Sequence, residues 1–502
     1  MKPLQSLIFL AAVGFLVGTV IYLQGGTNIN ISKSISFKIP TYNDVFIYDT
    51  VQYADISHLI NKKNTTDSIT QKVKTKNDTL AEIDSLFNTD TIIYIDPVVA
   101  AEDIYKLEFP SDNPHVLDNF FSLLASLKKT RQHIRIVHYG DSQIEGGRIS
   151  SVVREKLQRR FGGGGPGFLP IHEENKYSCQ MNFRYEGNWK KHTRYGVPES
   201  QVEIKHSRWG SLASISRFAP VKTDTSSKKK TVYTAKLNIF KKQFVAFPLR
   251  NQFSQIKLIS GNSRKPVFVE LLEADSLLNM TVIDTGKVIR ITKWNVPPIT
   301  DTGFTITFSG EDSPDFYGIA LEHPYGISVD NVPMRGSSGL EFLRISQDQL
   351  TEMYKLLNVK LFFIEFGVNV VPCDVEDFSF YESGLSRNIQ KLKEACPDAA
   401  VIVIGLSDMC VKNGEKYETH KNVEKVRDIQ KKVAFKTGSA FWDMYEAMGG
   451  RNSMPSWVFA KPPLGQPDFT HFNYDGSLII GEMFYNALNY EFEKYLKNSN
   501  LQ

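Results

Sequence analysis

The sequence predicts an α/β domain built on a parallel sheet, split by an inserted antiparallel β-sandwich and preceded by an apolar N-terminal segment and a tether. Three observations predict this. Apolar strand-like runs alternate with helical patterns over 111–175 and again over 322–502. The stretch between them, 176–321, carries short alternating segments without helical periodicity. Residues 3–32 contain no charged side chain.

Residues 7–23 are almost wholly apolar and follow Lys2. At ~1.5 Å per residue the run spans roughly 25 Å, the short end of a bilayer-crossing helix. No convincing small-x-small cleavage site follows it, and the first cysteine is Cys179, so a lipobox is absent. Residues 1–25 are therefore expected to be a signal anchor in preference to a cleaved signal peptide. Residues 26–110, rich in Asn, Thr, Lys and Asp, read as a largely irregular tether, with a short apolar piece at 91–95 able to add a strand.

A helix is expected over 114–129 (Val116, Phe120, Leu123, Leu124, Leu127). A buried strand follows through Ile134, Ile136 and Val137, then a second helix through Ile149, Val152, Val153, Leu157 and Phe161. In the insertion, Tyr233, Ala235, Leu237 and Ile239 alternate with Thr234, Lys236 and Asn238, and Phe304, Ile306 and Phe308 alternate with threonines. Segments near 200–206, 253–260, 266–273, 286–294 and 316–321 read as further strands, which together make a sandwich. Afterwards strand 359–366, helix 381–395, strand 400–405, helix 421–436, strand 439–442 and a final helix near 476–494 form a βαβ series, hence a parallel sheet with right-handed crossovers.

Composition excludes several classes. The chain of 502 residues is 41% hydrophobic with a formal net charge of +4, and its basic residues are dispersed, so nucleic acid is not an expected partner. Lys228, Lys229 and Lys230 read as a solvated hairpin loop. The histidines lack metal-ligand spacing, and no metal or other cofactor is expected. Gly162 to Gly165 is not followed by Gly-Lys-Ser/Thr and so is no phosphate loop. Cys179, Cys373, Cys396 and Cys410 form no Cys-x-x-Cys pair; Cys373 and Cys410 follow neighbouring strands, which leaves a disulfide open. Ser407-Asp408 has no glycine elbow or base motif and reads as a pocket wall.

The chemistry concentrates in four blocks. Gly140-Asp141-Ser142 stands between strand and helix, where α/β enzymes place nucleophiles. Serine is a poor nucleophile at its own pKa and needs a base. Asp468-Phe469-Thr470-His471 supplies one, since an Asp three residues before a His can fold back to fix the ring's tautomer. The loop from Met334 to Gly339 can bring a backbone N–H to a ligand, and Gly367-Val368-Asn369 presents a carboxamide at the end of a strand.

In this order the blocks resemble the SGNH (GDSL-type) hydrolase superfamily. The resemblance implies a flavodoxin-like parallel sheet, Ser142 as nucleophile, Asp468 and His471 completing the triad, and an oxyanion hole of the Ser142 N–H, the Gly336 N–H and the Asn369 side chain. Val370 departs from the Asp that often follows the Asn. The stretch 148–170 further resembles the branch containing bacterial peptidoglycan O-acetylesterases, whose relatives carry an inserted carbohydrate-binding-like module. Asp141 and Gln143 beside the nucleophile, and Met454 and Trp457 in the Gly/Pro-rich stretch before Asp468, are expected to line the substrate site. Trp189, Trp209 and Trp294 could stack on sugars but fit half-buried core positions as well.

The expected function is a serine esterase removing O-acetyl groups from a cell-envelope polysaccharide, peptidoglycan foremost. The place is the periplasm or cell envelope, with the chain anchored in the inner membrane. One alternative is an O-acetyltransferase of the same fold, served by a membrane acyltransferase partner. The other is a noncatalytic glycan-binding protein.

Overall fold

The computed structural model describes residues 3–32, 35–41, 51–59, 104–175, 180–221, 231–243 and 246–499. Most of the expected tether, its 91–95 segment, Cys179 and Lys228 to Lys230 lie outside the described residues. The chain divides into Met1–Gln52 and Tyr53–Gln502.

In the first unit, helix Pro3–Gln24 is followed by an antiparallel pair, Asn28–Ser32 with Ile35–Lys38. Leu4–Gln24, of mean hydropathy 2.4, is long and apolar enough to cross a membrane.

The second unit is organised by five parallel strands: β1 (His133–Gly140), β2 (Gly326–Pro333), β3 (Val359–Glu365), β4 (Ala400–Ile404) and β5 (Ala440–Trp442), in the order 2-1-3-4-5. This is the flavodoxin-like order, in which a crevice opens where β1 neighbours β3, outside the strands' carboxyl ends. Alternation along each strand feeds two cores. Ile134 and Ile136 of β1, Leu361 and Phe363 of β3, and Ile402 and Ile404 of β4 pack beneath helices α1 (Asp118–Thr130), α2 (Ser150–Phe161) and α6 (Tyr474–Asn498). Val137 and Tyr139, Phe362 and Ile364, and Val401 and Val403 face the opposite way, toward α3 (Gln347–Leu357), α4 (Ser379–Ala395) and α5 (Val423–Lys436). Such strands, covered on both faces, read as near-continuous apolar runs.

The insertion is a sandwich of two antiparallel sheets. The outer sheet has the order 276–283, 267–273, 304–310, 233–240, 182–186. The inner sheet runs 290–295, 255–261, 315–322, 214–217, 190–193, with 167–169 also pairing on 315–322. Leu237, Ile239, Val269, Ile306 and Phe308 meet Leu258, Phe316 and Ile319 in the sandwich core. The inner sheet's other face, carrying Phe168, Ile215, Ile259, Tyr317 and Ala320, belongs to the same core as α3 and α4. Strand Asp315–Glu322 is therefore buried at every position. The segment near 200–206 forms no strand: Glu199–Gln201 is a single 3-10 turn, and Val202 and Ile204 pack into the core shared with the parallel sheet. Trp209 and Trp294 are core residues, and Trp189 packs edge-on against Phe308 while donating to the Lys236 carbonyl.

The glycine run after α2 lies in this joint. A Cβ on Gly163 would stand 2.6 Å from the Ile327 carbonyl oxygen of β2, and one on Gly165 would stand 2.1 Å from that of Leu321 in the inner sheet. The run is a close backbone passage between the two sheets, which only glycine permits.

Candidate active site

Three loops leave the carboxyl ends of β2, β1 and β3 side by side, since Gly140 is in register with both Pro333 and Glu365. Gly140 is required by that crowding: a Cβ there would lie 2.7 Å from the Glu365 carbonyl oxygen. The Met334 N–H donates to the Gly140 carbonyl at 2.7 Å and the Asp141 N–H to the Glu365 carbonyl at 3.2 Å, extending the ladders one residue past the strands. Ser142 then opens a 3-10 stretch, Ser142–Gly147, with α2 beginning only at Ser150. Arg148 Nη1 donates to the Ser142 carbonyl at 2.7 Å and to the Gln143 carbonyl at 3.3 Å, holding this turn.

His471 arrives from the far end of the chain. Its Nε2 lies 2.8 Å from Ser142 Oγ, and its Nδ1 lies 2.7 Å from Asp468 Oδ2. Asp468 Oδ1 accepts the Thr470 and His471 N–H groups, each at 3.0 Å. Burial works to raise the Asp468 pKa, but the hydrogen bonds from the His471 side chain and from these two N–H groups outweigh it and pull the carboxyl down to about 2. The acid is thus ionised beside the imidazole. The loop's shape depends on Phe469, which adopts a left-handed φ of 54° and stacks on Tyr417 with ring centroids 3.6 Å apart. Asn473 ends the loop by capping α6, its side chain accepting the Gly476 N–H at 3.0 Å.

Gly336 lies in the exposed loop after β2 with φ of 76°. Asn369, after β3, donates from Nδ2 to the Ser337 carbonyl at 3.0 Å, tying its loop to that of Gly336. A carboxamide nitrogen carries two hydrogens, so one stays available. Ser142, Gly336 and Asn369 therefore gather at the ends of three adjacent strands. The His471 and Asp468 side chains remain 23% and 46% exposed, so the rim is open to solvent.

The four expected substrate-lining residues are placed differently. Asp141 is buried and accepts the Gln143 N–H at 3.0 Å and the Gly367 N–H at 3.1 Å, a brace between two loops. Gln143 is buried as well and faces the protein. Met454 and Trp457, on helix Ser453–Phe459, are 0% exposed. Trp457 donates to the Met448 carbonyl and packs on Phe472, and Met454 lies in the same core, so both residues are buried away from the open rim. Ser407, expected as a pocket wall, is likewise buried and pairs with Gln143. Cys373, Cys396 and Cys410 are free thiols. Among the described residues no cluster of acidic, His and Cys side chains could hold a metal.

Two neighbours of the site carried no expectation from sequence. Arg148 follows Ser142 at a spacing with no motif value. Glu365 follows four apolar residues, Leu361 to Ile364, at the end of its strand, and that charge was the available signal. Its Oε2 lies 3.0 Å from His138 Nε2, and His138 Nδ1 lies 2.9 Å from Ser150 Oγ, a buried polar layer beneath the Ser142 turn.

The profile of the GDSL-like Lipase/Acylhydrolase family matches residues 299–478. That span holds Gly336, Asn369, Asp468 and His471, while the insertion sets Ser142 apart from it. No curated protein matches the chain in sequence. Among solved structures, one titled as a peptidoglycan O-acetylesterase in action is similar at 18% identity with a TM-score of 0.59, covering 77% of this chain and 99% of that one. An acetylxylan esterase from Geobacillus stearothermophilus (17% identity, 34% of this chain and 75% of that one) has a TM-score of 0.26, too low to bear on the fold. Residues 299–478 thus match a GDSL-like Lipase/Acylhydrolase domain, and the α/β fold around them, interrupted by a β-sandwich, is one this solved structure shares.

Proposed function

We propose that the protein removes O-acetyl groups from a cell-envelope polysaccharide, with peptidoglycan the favoured substrate, through an acyl-enzyme on Ser142. The observation that carries this reading is the unbroken line from Ser142 Oγ through the imidazole to Asp468, at 2.8 and 2.7 Å. His471 takes the Ser142 proton as Oγ adds to the ester carbonyl, and Asp468 stabilises the imidazolium. The tetrahedral oxyanion is received by the Ser142 N–H, the Gly336 N–H and the free Asn369 amide hydrogen. Each such donor contributes about 3–4 kcal/mol to the transition state. His471 then protonates the departing sugar alkoxide as the C–O bond breaks. Water, deprotonated by the same ring, adds to the acyl-enzyme, and acetate leaves as Ser142 regains its proton.

An acetylated polymer is favoured for two reasons. The fold is shared along nearly the whole length of a peptidoglycan O-acetylesterase. The open rim admits an ester carried on a bulky chain, where a lipase would need an apolar acyl channel. The apolar helix Pro3–Gln24 fits an anchor in the inner membrane with the enzyme on the envelope side. An anchored chain of this kind could instead pass the acetyl group to a glycan alcohol, with a membrane acyltransferase as its donor partner.

The test is turnover of p-nitrophenyl esters and of O-acetylated peptidoglycan by the full chain. Acetate should be released, and Ser142→Ala should lower kcat by at least about 10³-fold. Transfer of acetate to a glycan acceptor in excess of release would replace the esterase reading with the transferase. Preference for octanoate over acetate would defeat both.

A further inference from the structure

Gln143 follows the nucleophile in sequence, yet its side chain points into the protein and is 1% exposed. Its Nε2 donates to the Thr470 carbonyl at 3.0 Å and to Ser407 Oγ at 2.8 Å, and its Oε1 accepts the Phe472 N–H at 3.3 Å. Thr470 and Phe472 are the two neighbours of His471. One side chain therefore pairs with the peptide groups on both sides of the imidazole-bearing residue, much as an adjacent strand would. The amide's orientation is set by these partners, because a carbonyl only accepts and an N–H only donates. Ser407 draws in the loop after β4, and the Gln466 N–H holds the His471 carbonyl at 2.7 Å from the far side. Ser142 and His471 are 329 positions apart, and Gln143 is one peptide unit from the first while gripping the backbone around the second.

We propose that Gln143 is a positioning residue that sets the distance between Ser142 Oγ and His471 Nε2 by clamping the His471 loop to the nucleophile turn. This rests on the esterase reading above. A gap opened by about 1 Å between nucleophile and base costs on the order of 10²-fold in rate, which is the size of effect expected from removing the clamp.

Two variants of near-equal volume test it. Gln143→Met cannot make the three bonds, and kcat should fall about 10²-fold with KM little changed. Gln143→Glu separates positioning from folding. When protonated, its O–H donates to the Thr470 carbonyl and its C=O accepts the Phe472 N–H, so the clamp is restored. When ionised, an oxygen faces the Thr470 carbonyl and the clamp is lost. The added charge also favours the protonated, inactive imidazole, which already faces Asp468 on its own loop and Asp141 on the nucleophile turn, with Arg148, Glu145, Arg335 and Glu365 around them. The kcat/KM profile of Gln143→Glu should therefore narrow from both sides into a bell whose alkaline limb the parent lacks, with circular dichroism and thermal melts showing a folded protein across that range. A folded Gln143→Glu with the parent's rate and pH profile would overturn the proposal, and it decides the matter alone if Gln143→Met fails to fold. Ser142→Ala assayed alongside keeps the two claims apart. Turnover surviving in Ser142→Ala removes the esterase reading, whereas an inactive Ser142→Ala beside a fully active Gln143→Glu removes only the clamp.

Discussion

Asp141 and Asp468 are two acids of one site held in opposite states by their surroundings. Asp141 has no solvent contact, and burial, reinforced by the negative charge of Glu365, raises its carboxyl to about 7 even though the Gln143 and Val368 N–H groups and His471 act against it. Asp468, half exposed and bonded to His471, lies near 2. Environments that push two carboxyls apart in this way assign them different tasks. The raised value has a consequence for stability. Between the unfolded carboxyl's value of about 4 and the folded value of about 7, the native state binds more protons than the unfolded state. Stability therefore falls as pH rises through that window and levels off above it. Asp141→Asn removes the titration but loses one of the two N–H bonds, because its Nδ2 only donates. Thermal melts of the variant should lie below the parent's near pH 4, and the deficit should shrink progressively up to about pH 7; a constant difference across that range would contradict the burial argument. At this scale the sequence was legible where spacing itself carries the chemistry, as for Asp468 and His471. It misled at Met454 and Trp457, because proximity in sequence to Asp468 says nothing about which side of a loop faces solvent.

At the scale of elements, β2 is the strand that periodicity did not announce, because Ser328, Asp330 and Asn331 sit in it as buried polar groups. Their partners come from elsewhere in the chain. Asp330 accepts Arg135 Nη1 at 2.5 Å and the Phe168 N–H at 2.8 Å, Asn331 accepts Ser150 Oγ, and Ser328 bonds His133. Arg135 also pairs with Glu322, the last residue of the inner-sheet strand, which Lys257 meets from the other side at 2.6 Å. A sequence pattern records the polarity of such residues but not the charges that compensate it. Arg135→Ala would leave Asp330 buried without its cation and Glu322 with Lys257 alone, a loss of about 3–5 kcal/mol that chemical denaturation of the second unit should register. A difference below about 1 kcal/mol would mean that water reaches the cluster. β3 and β4 were legible for the converse reason, since with both faces covered most positions are apolar, and in β1 the apolar residues Ile134, Ile136 and Val137 were enough.

Across the whole molecule, the sandwich is joined to the hydrolase fold as a continuation of its core, with Phe168, Ile259 and Tyr317 in the same cluster as Phe362 and Ile364. The insertion therefore packs against the β2 side of the site, from which Gly336 emerges. The N-terminal unit raises a separate question of address. Expressed in a Gram-negative host, the full chain should sediment with membranes and resist carbonate extraction, and removal of residues 1–25 should release it. Release of the full chain by carbonate would exclude an anchor. The sequence by itself determined the alternation of strand and helix, the split by a β domain, the apolar leader and the four blocks of reactive residues, because each is written in local periodicity or short spacing. Only the tertiary structure decided which polar residues lie at the open rim and which brace the loops. That depends on partners hundreds of positions away, whose hydrogen bonds and charges make burial of Asp141, Gln143 and Asp330 tolerable.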